Sequence, residues 1–194
     1  MDKFYKKFSL YLSSHNLIKP EDCDIYEYAI KITIHGLLNI ITSILIGLFY
    51  GMVKECMCLL LTIFVLRKFT GGVHASKYIF CLIYSTLIMA ISLSIINTLM
   101  EFCNPIYFFM IVIMAVVILC SFSPVDNKNK KLSKKEKTFY KCISIFISVI
   151  LLFLMYLSID ILSLFYSMGI GVIIVTFLLV IAQIVNIKGE YNGK

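Results

Sequence analysis

The chain alternates long runs without a charged side chain and short clusters that hold nearly all of its charge. Uncharged runs occupy residues 32–53, 78–100, 102–125, 142–159 and 161–187. Each approaches the roughly 20 apolar residues that cross a bilayer core about 30 Å thick. A shorter run, residues 56–66, lies between Lys54-Glu55 and Arg67. Snorkelling of Lys54 toward water lengthens its effective reach. Spanning is the reading adopted for it, with a re-entrant segment as the alternative. Ahead of the first run, Phe4, Tyr5, Phe8, Tyr11 and Leu12 recur at helical spacing, with Lys3, Lys6, Lys7 and Ser9 between them. That pattern predicts an amphipathic helix within residues 1–20 lying in the headgroup region. Pro20 is expected to end it and to open a Pro20-Glu21-Asp22 turn. Its role is either adhesion to the membrane or binding of a partner. The predicted fold is all-α: a polytopic integral membrane protein of about six transmembrane helices preceded by an N-terminal interfacial helix.

Composition sharpens this. Of 194 residues, 60% are hydrophobic and 15% charged, against about 45–50% and about 25% in soluble domains. A single membrane-embedded domain over residues 1–194 is expected, with no room for a separate soluble one. The N-terminal Met1-Asp2-Lys3-Phe4-Tyr5-Lys6-Lys7 lacks the order of a cleavable signal peptide and reads as mature protein. With six spans and a cytoplasmic N-terminus, only Lys54 of 18 basic residues falls outside, beside Glu55. The positive-inside rule therefore places both termini and the segments 67–81 and 123–141 in the cytoplasm.

Seven cysteines (23, 56, 58, 81, 103, 120 and 142) raise the question of disulfides or a metal. Cys56-Met57-Cys58 is not the spacing of a zinc knuckle, and no second pair follows. Six of them read as small hydrophobes in or beside apolar helices. Cys81 is different, because it closes the stretch Arg67-Lys68-Phe69-Thr70-Gly71-Gly72-Val73-His74-Ala75-Ser76-Lys77-Tyr78-Ile79-Phe80-Cys81. A thiolate attacks carbonyls, and a neighbouring imidazole takes its proton and returns one to a leaving amine. His74 precedes Cys81 by seven residues, about 10.5 Å along a continuous helix, too far for direct pairing. The pair needs a break, and Thr70-Gly71-Gly72 supplies one. His74 is then expected on a loop folded over the first turns of the helix carrying Cys81. Partial positive charge at that helix N-terminus, with Arg67, Lys68 and Lys77, favours the thiolate. Backbone N–H groups of the glycine turn are candidates for an oxyanion hole. The structural alternative is an interfacial histidine and an inert span cysteine.

The pattern Arg67…Gly71-Gly72-Val73-His74-Ala75…Cys81 resembles the signature of AgrB, the accessory gene regulator B family of Gram-positive quorum-sensing systems. Ser123-Pro124-Val125-Asp126-Asn127-Lys128-Asn129-Lys130-Lys131 resembles that family's second loop motif. Length, span pattern and amphipathic N-terminus agree, so the resemblance covers essentially the whole chain. It implies a membrane cysteine endopeptidase that processes an AgrD-like autoinducing-peptide precursor, with Cys81 as nucleophile and His74 as general base and acid. Cleavage removes the precursor's acidic C-terminal tail and leaves a thioester on Cys81. An internal precursor cysteine then attacks, closing a thiolactone. The family is also described as homodimeric, and whether His74 serves Cys81 of its own chain or of a partner stays open. No third residue orienting His74 is evident. Asp126 is a candidate by topology, its alternative role being turn formation after Pro124.

His35, in the first span, reads as an interior polar residue; with His15 it completes the histidines, so no metal or other cofactor is expected. The loop around Lys128, Lys130 and Lys131 serves orientation and attraction to anionic headgroups. It is also a candidate to bind the precursor's acidic tail. Without interleaved aromatics, it does not suggest nucleic acid. Two other functions compete: a peptide exporter with a polar passage through Arg67, His74 and the glycines, and a sensor whose motifs only dock a partner. Almost uncharged spans and the lack of an internal repeat weigh against the exporter.

Overall fold

The structure is a computed structural model that describes residues 2–14, 18–71, 78–125 and 133–191. Among the described residues there are α-helices and no strand. In order they are α1 (Asp2–Ser14), α2 (Cys23–Tyr50), α3 (Val53–Thr70), α4 (Tyr78–Phe102), α5 (Pro105–Phe122), α6 (Lys134–Leu157) and α7 (Leu162–Tyr191), with a 3-10 turn at Pro20–Asp22 before α2. Helices are what such a sequence must form in lipid, where every backbone N–H and C=O needs a partner within the segment.

Among the described residues, five helices are long and apolar enough to cross a membrane: Cys23–Tyr50, Leu82–Phe102, Pro105–Phe122, Lys135–Leu157 and Leu162–Val185. The chain is thus an all-α polytopic membrane protein. The remaining predicted span, α3, carries charge at both ends, with Glu55 in its first turn and Arg67 and Lys68 in its last. That polarity complements the helix dipole. At 18 residues it matches α5 in length, about 27 Å for each.

The helices divide into two compact units, residues Met1–Thr42 and Ser43–Lys194. In the first, α1 buries Tyr5 edge-on against His35, with ring centroids 5.5 Å apart. The interior position expected for His35 is observed. Phe8 and Tyr11 remain exposed. The described part of α1 reaches Ser14, Ile18 and Lys19 are not helical, and Pro20 opens the 3-10 turn instead of ending α1. The Ser14 hydroxyl donates to the Tyr11 carbonyl at 2.8 Å, the local competition with backbone bonding that weakens helix ends.

In the second unit α7 is the central helix. Half of its apolar window is buried, against at most 28% in the other four candidate spans. It is apolar all round, as a helix enclosed by others must be, and packs on α3, α4, α5 and α6. Small residues set the close approaches. A Cβ built on Gly171 would stand 2.8 Å from Thr62 Cγ2 of α3, and one on Gly169 would overlap the Phe108 ring of α5. Close helix contacts in membranes rely on such residues. At one end of the bundle Phe108, Phe165 and Tyr166 stack edge to face, and the Tyr166 hydroxyl donates to the Cys103 carbonyl. Asn104 caps α5 by accepting from Ile106 N–H at 2.9 Å, with Pro105 in the first turn. At this same end α2 turns into α3 through Gly51, at φ 67°. Bonds from Met52 N–H to Gly47 C=O and from Gly51 N–H to Leu48 C=O close that helix end, a turn that requires a left-handed residue. The opposite end of the bundle holds the described parts of the two sequence motifs nearest to it, residues 67–71 and 123–125.

Candidate functional site

α3 stops at Thr70. Gly71 follows with φ 77° and ψ −167°, and its N–H bonds the Arg67 carbonyl at 3.3 Å. That backbone region is open essentially to glycine alone, so the break expected at Gly71 is present. Arg67 is half-buried in the last turn, and Lys68 Nζ lies 5.7 Å above the Phe69 ring.

The second motif meets the first here. Val125 N–H donates to the Thr70 carbonyl at 3.1 Å, and a Cβ on Gly71 would fall 2.7 Å from the Val125 carbonyl oxygen. Thr70 and Val125 are both buried, and the Thr70 hydroxyl donates to the Leu66 carbonyl at 3.1 Å. Segments 55 residues apart in sequence (125 − 70) are thereby clamped backbone to backbone. Beside the clamp, Ser123 Oγ donates to Ser144 Oγ at 3.0 Å, and Ser144 donates to the Tyr140 carbonyl at 2.8 Å. These bonds join the end of α5 to the first turns of α6, while Phe69 lies against Tyr140 with centroids 6.4 Å apart. α6 begins with a capping box: Ser133 Oγ accepts from Glu136 N–H, and the Glu136 carboxylate accepts from Ser133 N–H.

Cys81 is the fourth residue of α4. The far end of α4 is tied by the Ser94–Tyr50 hydrogen bond to the Gly51 side of the bundle, so its first turn lies toward the Gly71 side. Gly72, His74, Asp126, Lys128, Lys130 and Lys131, with His15, lie outside the described residues, and so does the His74–Cys81 geometry. Cys23, Cys56, Cys58, Cys103, Cys120 and Cys142 are free thiols. Cys56 is fully buried, its thiol donating to the Ser43 carbonyl at 3.0 Å, the behaviour of a small apolar residue.

Sequence reasoning did not find the Thr70–Val125 clamp, the Ser123–Ser144 bond or the Ser133–Glu136 box. The box has a local signature, Ser-x-x-Glu ahead of an apolar run. The other two join distant segments and have none.

A multi-pass helical bundle with two signature loops joined at one end defines a class of small polytopic membrane proteins. The family model for accessory gene regulator B, AgrB, matches residues 5–184; the chain belongs to this family. It is similar to an AgrB-like protein of Clostridium perfringens strain SM101, 30% identical over 178 residues, covering 87% of this chain and 80% of that protein. A second AgrB-like protein, from C. perfringens strain 13, is 31% identical over 155 residues, covering 75% and 70%. No solved structure matches. Membership ties the chain to the agr quorum-sensing pathway and to an AgrD-like precursor as its partner.

Proposed function

We propose that the chain, acting as one membrane-embedded domain, is a cysteine endopeptidase that removes the C-terminal tail of an AgrD-like precursor. The observation that supports it most is the clamp between Thr70-Gly71 and Val125. It brings the two motifs to the bundle end toward which the first turn of α4, with Cys81, is directed. In this reading His74 withdraws the thiol proton, and Cys81 Sγ attacks the scissile carbonyl. The tetrahedral oxyanion accepts from backbone N–H groups of the glycine turn. As the C–N bond breaks, His74 returns the proton to the departing amine, leaving a thioester on Cys81. An internal precursor thiol, deprotonated by His74, adds to the thioester and expels the Cys81 thiolate, closing a thiolactone. No oxidant or cofactor is consumed. Shielding of the acyl-enzyme at the membrane surface favours this capture over water.

Asp126 directly follows the clamped Val125, which supports it as the residue that orients His74. Lys128, Lys130 and Lys131 follow in sequence and supply positive potential for the acidic tail. Arg67 steadies the turn from the last turn of α3. The basic loop and both termini are assigned to the cytoplasm by the positive-inside rule. α3 is assigned as a sixth crossing, because it runs from the Gly51 turn to the level where α5 ends. The active form is assigned as a homodimer.

Reconstitution in lipid with a synthetic precursor tests the chemistry. Mass spectrometry is expected to show a clipped tail and a thioester adduct in the wild type, both lost in Cys81→Ser and His74→Ala. Unchanged clipping in Cys81→Ser would sink the proposal. Transport that survives loss of the thiol, without clipping, would establish the exporter instead.

A further inference from the structure

Past the Ser123–Ser144 bond, on the outward side of α5 and α6, lies a surface cavity of about 420 Å³. It is lined by residues 121–124 at the end of α5 and, on α6, by Lys137, Thr138, Lys141 and Ile145. A second cavity, of about 550 Å³, meets it at Thr138 and Cys142 and adds Lys135 and Phe139. The first cavity reaches Ser123 and Pro124, next to the clamped Val125, while Tyr140 and Ser144 of α6 contact Phe69 and Ser123.

Two features locate this trough at the membrane boundary. Charge on α6 stops at Lys141, and residues 142–159 are uncharged. Directly below, Ile145, Phe146 and Val149 are exposed, as is Phe122 at the end of α5, an apolar surface of the kind acyl chains cover in a bilayer. Basic side chains stand over an exposed apolar face, separated by one helical turn, which matches the layering of a phospholipid. The sign of the charge selects among lipids. Two ammonium groups attract a phosphate with no compensating cation and repel a choline headgroup. Basic pockets between membrane helices hold anionic headgroups by this means.

We infer that the trough is a binding site for an anionic phospholipid, its phosphate between Lys137 and Lys141 and its acyl chains over Phe122 and Ile145. A peptide carboxylate is the weaker occupant, because it leaves the exposed apolar face of Phe122, Ile145, Phe146 and Val149 uncovered where acyl chains would cover it. The inference rests on the membrane fold and not on the peptidase chemistry.

The full chain in detergent, incubated separately with phosphatidylglycerol and phosphatidylcholine of the same acyl chains, is examined by native mass spectrometry. Phosphatidylglycerol is expected to be retained about tenfold or more in preference, as two lysines near a headgroup imply. Lys137→Gln/Lys141→Gln should abolish the preference, and Lys137→Arg/Lys141→Arg should keep it. Equal retention of both lipids, or a preference unaltered in the Gln pair, overturns the site. Displacement by millimolar inorganic phosphate, or by an acidic peptide, overturns the lipid as occupant. If the Gln pair does not fold, the wild type decides: alkylation of Cys142, exposed in the trough, should be slower in phosphatidylglycerol nanodiscs than in phosphatidylcholine ones. Equal rates there also refute the site.

Discussion

Gly71 has two reasons to be glycine, and they are independent. Its φ of 77° with ψ −167° excludes other residues by backbone sterics, and Val125 O occupies the place of a Cβ at 2.7 Å. Gly71→Ala must therefore open the clamp or move α3, at about 1–3 kcal/mol for the backbone alone. Precursor processing is expected to fall about tenfold or more, since about 1.4 kcal/mol is a factor of ten. Gly36→Ala, with nothing within 4 Å of the new Cβ, should leave processing intact. Wild-type rates in Gly71→Ala would show that the clamp does not position the site. The need for a break at this residue was readable from the Thr70-Gly71-Gly72 run, because glycine is the local signal for it. Its partner was not, since a backbone hydrogen bond to Val125 leaves no mark on either side chain.

Among elements, the contact of α3 with α7 organises the second unit. Thr62 and Leu59 are buried on α3, and Gly171 lets the two backbones approach. Gly171→Ala inserts a methyl group 2.8 Å from Thr62 Cγ2, overpacking expected to cost about 1–3 kcal/mol. Thermal unfolding in detergent should show the loss, and Thr62→Ala in the same chain should recover part of it. Simple addition of the two losses would indicate that the residues do not couple. The helical runs themselves followed from hydrophobic length, and each predicted span overlaps an observed helix. Their boundaries moved where local chemistry intervened. The run from Phe102 starts its helix only at Pro105, behind the Asn104 cap. The α6 helix extends back from Cys142 to Lys134 because the Ser133–Glu136 box starts it in the charged segment.

For the molecule as a whole, the open question in the sequence was the short second run. Lys54, Glu55, Arg67 and Lys68 set α3 apart from the other helices, yet it bridges the Gly51 turn and the Val125 clamp with the same 18-residue length as α5. If α3 crosses, single cysteines at Met52 and Asp160 in a cysteine-free chain react with an impermeant maleimide on intact cells, and one at Lys135 reacts only after permeabilisation. Labelling of Met52 and Lys135 from the same side would make α3 re-entrant and reduce the crossings to five. Residue order alone was enough for the all-α membrane class, the approximate spans, the glycine break and the candidate pair His74 and Cys81. Those features depend on hydrophobic length, charge placement and residue chemistry, each of which acts locally along the chain. Which helix lies at the centre, and that Thr70-Gly71 closes on Val125, were decided only by tertiary structure. In lipid, apolar faces do not differ enough in hydrophobicity to choose their neighbours. The choice falls to the shapes of small residues and to backbone hydrogen bonds between segments far apart in sequence.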